Sequence, residues 1–158
     1  MDRLRAEFEA LGFTDVRSFI ASGNVLFEAT GSRASLEPKI ETRLAEQLGY
    51  AVPTFVRTAG AVRKASALEP FGAIADGDTH HVVFLRKAPT VAAKRATEAL
   101  SNDQDRFEVH GTELHWHIHG GLTDSSVKSS VLAKALGQPC TARNTKSLRK
   151  LSDMLAKG

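Results

Sequence analysis

The sequence predicts an α+β fold in which one order of elements occurs twice. Apolar residues recur at helical spacing in some segments and alternate in others, and glycine or proline separates the segments. Residues 79–158 show the order strand, helix, strand, strand, helix, strand, helix, and residues 1–72 show the same order without its opening strand. We therefore predict tandem duplicated ferredoxin-like (βαββαβ) units, a truncated one at 1–72 and a second at 79–158 with a C-terminal helix, connected by a turn-rich joint at 73–78.

The first predicted unit begins with a helix whose apolar residues share one face and which ends at Gly12. A two-stranded antiparallel ribbon follows, and its turn is Ser22-Gly23-Asn24. Because the helix opens at Met1 with no preceding element to pack on, we expect a strand upstream of Met1. Such a strand would be central, so its absence leaves open edges that favour oligomerisation or rearrangement. The predicted elements are helix 4–11, strands 16–21 and 25–27, helix 35–48 with Ser35 as its N-cap, strand 53–57 and helix 59–68.

The second predicted unit begins with the continuous apolar run His81–Leu85, which is typical of a strand buried on both faces. A helix with Thr90 as its possible cap follows, and then a hairpin whose turn contains Gly111 and Thr112. The predicted elements after the first strand are helix 89–100, strands 106–110 and 113–119, a helix from Asp124 or Ser125 to Leu136, strand 141–143 and helix 145–156.

Composition favours a cytoplasmic globular protein. The chain has 158 residues, of which 42% are hydrophobic and 25% charged, and no apolar run approaches the roughly 20 residues of a membrane span. No signal peptide opens it, and the single Cys140 excludes an internal disulfide. The net charge of +3 is concentrated at the end, where residues 143–157 hold five basic residues and one acidic residue.

Several segments resemble a bacterial family of uncharacterised proteins, domain of unknown function 1697. They are FEALGFTDVR at residues 8–17, SGNV at 22–25, VPTFVRT at 52–58, and LGQP, TARN and KL near the C-terminus. The resemblance implies the tandem ferredoxin-like fold, an upstream strand and a Gly-rich loop with an Arg-Gly-Ile-Asn-like motif. This sequence lacks the strand and the loop, and Thr145 stands where the family tends to have Trp. The family implies no biochemical role.

Two polar pairs occupy equivalent places in the predicted duplication, each directly after the last strand of its unit. They are Arg57-Thr58 in the first unit and Arg143-Asn144 in the second. These pairs could converge on one anionic ligand, because an arginine fork suits carboxylate or phosphate. The simpler interpretation, which we favour, is that each arginine pairs with a nearby acid or caps a helix. The Ser22-Gly23-Asn24 segment is similarly either a hairpin turn or a ligand contact. The candidate ligand-binding residues are Ser22, Asn24, Arg57, Thr58, Arg143 and Asn144.

Three histidines, His115, His117 and His119, alternate along a predicted strand and so share one face. Two histidines at this spacing can chelate zinc, but the polar outer face of an antiparallel sheet explains the same pattern and is favoured. No nucleophile elbow, phosphate-binding loop or paired-carboxylate motif is present, and we interpret Cys140 as structural. We predict no cofactor.

The sequence favours a non-catalytic binding or interaction module for a small anionic ligand or a protein partner, with homo-oligomerisation possible and no membrane contact. The first alternative is an enzyme acting on an anionic metabolite through Arg57 and Arg143. The second alternative is weak nucleic-acid binding, which we do not expect, because four cations on a short helix are few and the RNA-binding aromatic motifs are absent. The candidate contacts for an anionic partner are Arg143, Lys146, Arg149 and Lys150.

Overall fold

The protein is a mixed α+β fold that divides into two units. The computed structural model describes residues 2–19 and 23–157. Contacts assign the chain up to Thr58 to a first unit and Ala59–Lys157 to a second. This division precedes the joint expected at 73–78, because the first helix after Thr58 packs on the C-terminal helix of the second unit. Within the described residues no helix has the length and apolarity needed to cross a membrane.

The first unit contains the helix, ribbon and helix that the sequence predicts. Phe8, Ile40 and Leu44 are buried in its core. The N-cap of the second helix is Ser32, whose side chain accepts a hydrogen bond from the Ser35 backbone N–H, so the predicted cap at Ser35 is wrong. The elements are α1 at Asp2–Ala10, β1 at Thr14–Phe19, β2 at Asn24–Glu28, antiparallel to β1, and α2 at Arg33–Leu48.

The strand predicted at 53–57 is wrong, because the structure assigns these residues to no strand. Its backbone donors are used by carboxylates of α2. The Val56 N–H donates to Glu37 Oε2 at 2.8 Å, and the Thr54 N–H donates to Glu41 Oε2 at 3.0 Å. Buried backbone donors require acceptors, and here side chains of one helix replace the neighbouring strand.

The second unit contains a four-stranded antiparallel sheet, in which the strand after residue 78 is one of the two central strands. The continuous apolar run is buried along its length, as predicted. Thr90 caps the helix after it, accepting from the Ala93 N–H at 3.1 Å, also as predicted. The elements are α3 at Ala59–Ala67, β3 at Thr79–Leu85, α4 at Val91–Glu98, β4 at Asp105–His110, β5 at Glu113–Ile118, α5 at Ser129–Leu136, β6 at Cys140–Asn144 and α6 at Thr145–Lys157.

A fully buried carboxylate, Asp105, holds the loop before α5 against the sheet. It accepts hydrogen bonds from Trp116 Nε1, from the hydroxyls of Ser125 and Ser126, and from the Ser126 backbone N–H, at 2.6–2.9 Å. Because these serines bind Asp105, and Asp124 closes a short 3₁₀ turn, neither predicted cap starts α5. The helix begins later, at Ser129.

Candidate functional site

A cavity of about 310 Å³ lies in the second unit, between the loop before β3 and the first turn of α6. This is near the lower end of the volumes of small-molecule sites, about 300–1,000 Å³. Its wall includes charged side chains of both signs and the polar residues where β6 passes into α6. The polar and charged residues used below are Glu69, Asp76, Asp78, Asn144, Lys146 and Arg149.

The first turn of α6 is fixed at the cavity by short-range contacts. The β3–β6 ladder ends with Asn144 opposite His81, and the Asn144 side chain then accepts from the Lys146 backbone N–H at 2.8 Å. The buried Thr145 hydroxyl donates to the His80 carbonyl at 3.0 Å. Leu148 is buried one turn into the helix. These contacts anchor one face of α6 and leave Lys146 exposed at the cavity wall.

Opposite charges face each other across this cavity. Lys146 and Arg149 add to the positive end of the α6 dipole, while Glu69, Asp76 and Asp78 supply carboxylates. The Arg149–Glu69 separation is 3.9 Å and both side chains are half exposed, so this pair is weak. The cavity therefore has a positive end at α6 and an acidic wall at the loop.

The structure brings together three of the sequence-predicted residues, Asn144, Lys146 and Arg149, but Lys150 is not part of this wall. Arg143 is also outside it. One Arg143 guanidinium nitrogen donates to Thr141 Oγ1 and to the Ala142 carbonyl, at 2.6 and 2.9 Å.

The remaining anion-site candidates lie in the first unit. The Asn24 side chain donates to the Phe19 carbonyl at 3.2 Å, across the ends of β1 and β2, which fits the hairpin-turn interpretation. Arg57 donates to the carbonyl of Val56 at 3.0 Å. Ser22 lies outside the described residues. The convergence of Arg57 and Thr58 with their counterparts in the second unit stays a prediction.

The histidine face of β5 is buried rather than solvated. His115 Nδ1 and His80 Nε2 are 2.8 Å apart, so these two rings form a hydrogen-bonded pair on neighbouring strands. Burial lowers the pKa of each to about 4, which keeps both neutral at neutral pH. The predicted grouping of His115 with His117 and His119 therefore does not form, because His115 bonds to His80.

His117 and His119 instead converge on Asp78. Asp78 Oδ2 is 3.0 Å from His117 Nε2 and 3.0 Å from His119 Nδ1, and Asp78 Oδ1 accepts from the Gly120 N–H at 3.1 Å. The hydrogen bond with His117 is the largest cause that lowers the pKa of Asp78. Sequence reasoning missed Asp78, which directly precedes β3 and belongs to no recognisable motif.

Comparison with known families identifies the family of this chain. Residues 1–115 match the family described as protein of unknown function (DUF1697). The chain belongs to this family. The match includes all of the first unit and ends at His115, so Asn144, Lys146 and Arg149 lie beyond the family's matched segment.

One similar solved structure is a conserved bacterial protein from Streptococcus pneumoniae. It is 24% identical, with a TM-score of 0.73 over 99% of this chain and 88% of that chain. This similarity shows a shared fold. A search of curated proteins finds no match.

Proposed function

We propose that this chain is a non-catalytic binding module for a small anionic ligand, held in the cavity at the first turn of α6. The observation that carries the proposal is that Asn144, Lys146 and Arg149 line one cavity there. The aligned peptide dipoles place partial positive charge at a helix N-terminus, where anions are favoured. Two cationic side chains strengthen that preference.

The acidic wall narrows the class of ligand. Glu69, Asp76 and Asp78 would repel a polyanion, but they tolerate a compact molecule whose single anionic group lies at α6. A ligand that also carries an amine would suit both ends of the cavity. The same acidic wall and the separate position of Lys150 argue against the nucleic-acid alternative.

The enzyme alternative has weaker support than binding. Its proposed arginine in this unit, Arg143, is engaged by Thr141 and Ala142 beside it. The proposal also includes a protein partner, or a second copy of the chain, that binds at the same surface in place of a small ligand. The cytoplasm remains our proposed compartment, since Cys140 is the chain's only cysteine.

We also propose that both units are ferredoxin-like, the first without its opening strand. After α3, the second unit has the βαββαβ order followed by α6, and the first of these strands, β3, lies in the middle of the sheet. In the first unit α1, β1, β2 and α2 follow the order of α4, β4, β5 and α5. The segment 53–57 then corresponds to β6, and β3 has no counterpart among the described residues of the first unit.

Lys146→Ala should weaken binding of inorganic phosphate, used as the probe, by about tenfold, since one charge-assisted contact is worth roughly 1.4 kcal/mol. The measurement is isothermal titration calorimetry at low ionic strength in the presence of EDTA. Lys150→Ala is the matched control, because it removes the same charge from the same helix but outside the cavity wall. Equal weakening in both variants would indicate nonspecific attraction to a basic helix and would overturn the proposal.

A further inference from the structure

We propose that Asp78, His117 and His119 form a binding site for a zinc-type divalent metal ion. Within the described residues this trio brings three ligand atoms within 4.8 Å of one another. The site is separate from the proposed anion-binding residues of α6, although Asp78 also contributes to the cavity wall.

The strand register creates this juxtaposition. In the β3–β5 ladder Thr79 lies opposite Ile118, and His80 lies opposite His117. Asp78 therefore falls opposite His119, one residue beyond the paired strands. Because alternate residues of a strand share a face, His117 and His119 project from the same side toward Asp78. The Thr79 hydroxyl also donates to the Gly120 carbonyl, which ties the two chain segments together at 3.0 Å.

The ligand atoms lie close enough together for side-chain adjustments to bring them to zinc. Zinc lies about 2.0–2.1 Å from histidine nitrogen and 2.0–2.2 Å from carboxylate oxygen, so tetrahedral coordination separates the ligand atoms by about 3.4 Å. The observed nitrogen-to-oxygen distances are both 3.0 Å. The three ligand atoms lie within 4.8 Å of one another. Zinc would lengthen the two nitrogen-to-oxygen distances by a few tenths of an ångström, bring the two ring nitrogens to about 3.4 Å apart and replace the protons that now bridge these atoms.

The surroundings support a preformed site with one open position. Asp78 Oδ1 is held by the Gly120 N–H, which leaves Oδ2 aimed at the two rings. His117 is buried, with a side-chain exposure of 7%, whereas that of His119 is 51%, so the ion would have an inner wall and an outer solvent side. Three protein ligands and one water are the arrangement of open zinc sites.

The burial of His117 is difficult to explain by stability alone. Its Nδ1 is buried with no hydrogen-bond partner among the residues that the structure describes, although buried polar atoms are usually paired. Burying His117 in this state costs stability, and a metal on Nε2 would place the ring proton on Nδ1. A ligand set of two histidine nitrogens and one carboxylate oxygen favours zinc and similar transition metals over calcium and magnesium, which prefer oxygen ligands.

The test is zinc binding by the metal-stripped full chain, measured by competition with a chromophoric chelator. We expect one zinc per chain, and at least about a 100-fold loss of affinity in His119→Ala, because removal of a direct ligand should exceed the effect of removing its supporting partners. His119 is exposed, so this variant should fold. His110→Ala is the matched control, since it removes an exposed histidine of the same hairpin that lies outside the trio.

Cobalt substitution gives an independent readout. Cobalt(II) should produce the strong visible absorption of a tetrahedral site in the native chain, and Asp78→Asn should weaken or abolish it. Zinc binding that is absent, or that is equally strong in His119→Ala, would overturn the proposal. Because His119 is not part of the cavity wall, phosphate binding in His119→Ala reports separately on the proposed function.

Discussion

Asp105→Ala is expected to lower the free energy of unfolding by about 3–5 kcal/mol, the usual cost of breaking a buried charged network. Asp105 is fully buried and accepts four hydrogen bonds from Trp116, Ser125 and Ser126. Burial alone would raise the pKa of this carboxyl, but the hydrogen bonds outweigh it and the pKa is lowered. Without the carboxylate, the buried Trp116 Nε1–H loses its acceptor and the loop before α5 loses its attachment.

Chemical denaturation monitored by tryptophan fluorescence measures this loss, because Trp116 is the only tryptophan. Asp105→Asn should fall between wild type and Asp105→Ala, since its amide nitrogen would face donors instead of accepting from them. Asp103→Ala is the control and should change the free energy by less than about 0.5 kcal/mol, because Asp103 is exposed. A loss below 1 kcal/mol in Asp105→Ala would show that the network is unimportant for stability.

Acidification from pH 6.5 to 4 is expected to destabilise the protein strongly. Burial first, and then the charges of Arg149, His117 and His81, lower the pKa of His80 to about 4. Burial, and then the charges of His80 and His110, lower the pKa of His115 to about 4.

The direction of this pH dependence follows from the difference in proton uptake between the unfolded and folded states. Histidine in the unfolded chain has a pKa near 6.5, so between pH 6.5 and 4 the unfolded state binds protons that the folded state does not. The contribution of the neutral buried histidines to the free energy of unfolding is therefore complete above pH 6.5 and is lost as the pH falls toward 4. For the His80–His115 pair we expect a total loss on the order of 3–5 kcal/mol.

Urea unfolding at a series of pH values, with EDTA present throughout, measures this dependence. His115→Leu should flatten the profile only in part, because it removes one of three buried histidines whose pKa is lowered, the others being His80 and His81. His110→Ala should retain most of the change of unfolding free energy with pH, since His110 is exposed. The lowered pKa of Asp105 means that its own contribution is lost mostly at pH values below this range, with only the onset of that loss near pH 4 to 5. A free energy that stays constant between pH 7 and 4.5 would contradict a neutral buried pair.

Local chemistry made much of the fold predictable. Gly49 and Gly137 end α2 and α5 in the left-handed conformation that glycine adopts readily, and Thr90 caps α4. The error at 53–57 arose because a tertiary contact replaced a local one. The alternation at 53–57 is typical of a strand, but Glu37 and Glu41 of α2 take its backbone donors.

Of the two sides of the cavity, the sequence predicted only the residues on the α6 side. Asn144, Lys146 and Arg149 are close in sequence, and helical spacing places Lys146 and Arg149 near each other. The opposite wall comes from the loop before β3, and nothing in its sequence indicates that it returns to α6. Asp78 and His117 are 39 residues apart, and only the strand register brings them together.

The most direct test of the anion-binding claim is a two-dimensional ¹⁵N NMR titration of the chain with inorganic phosphate, with EDTA present. We expect saturable chemical-shift changes at the amides of residues 144–149 and 72–78, which form the two sides of the cavity. Those shifts should be much smaller in Lys146→Ala and preserved in Lys150→Ala. Absence of saturable shifts, or shifts centred on Lys150 and other exposed cations outside the cavity, would contradict a built anion site at the first turn of α6.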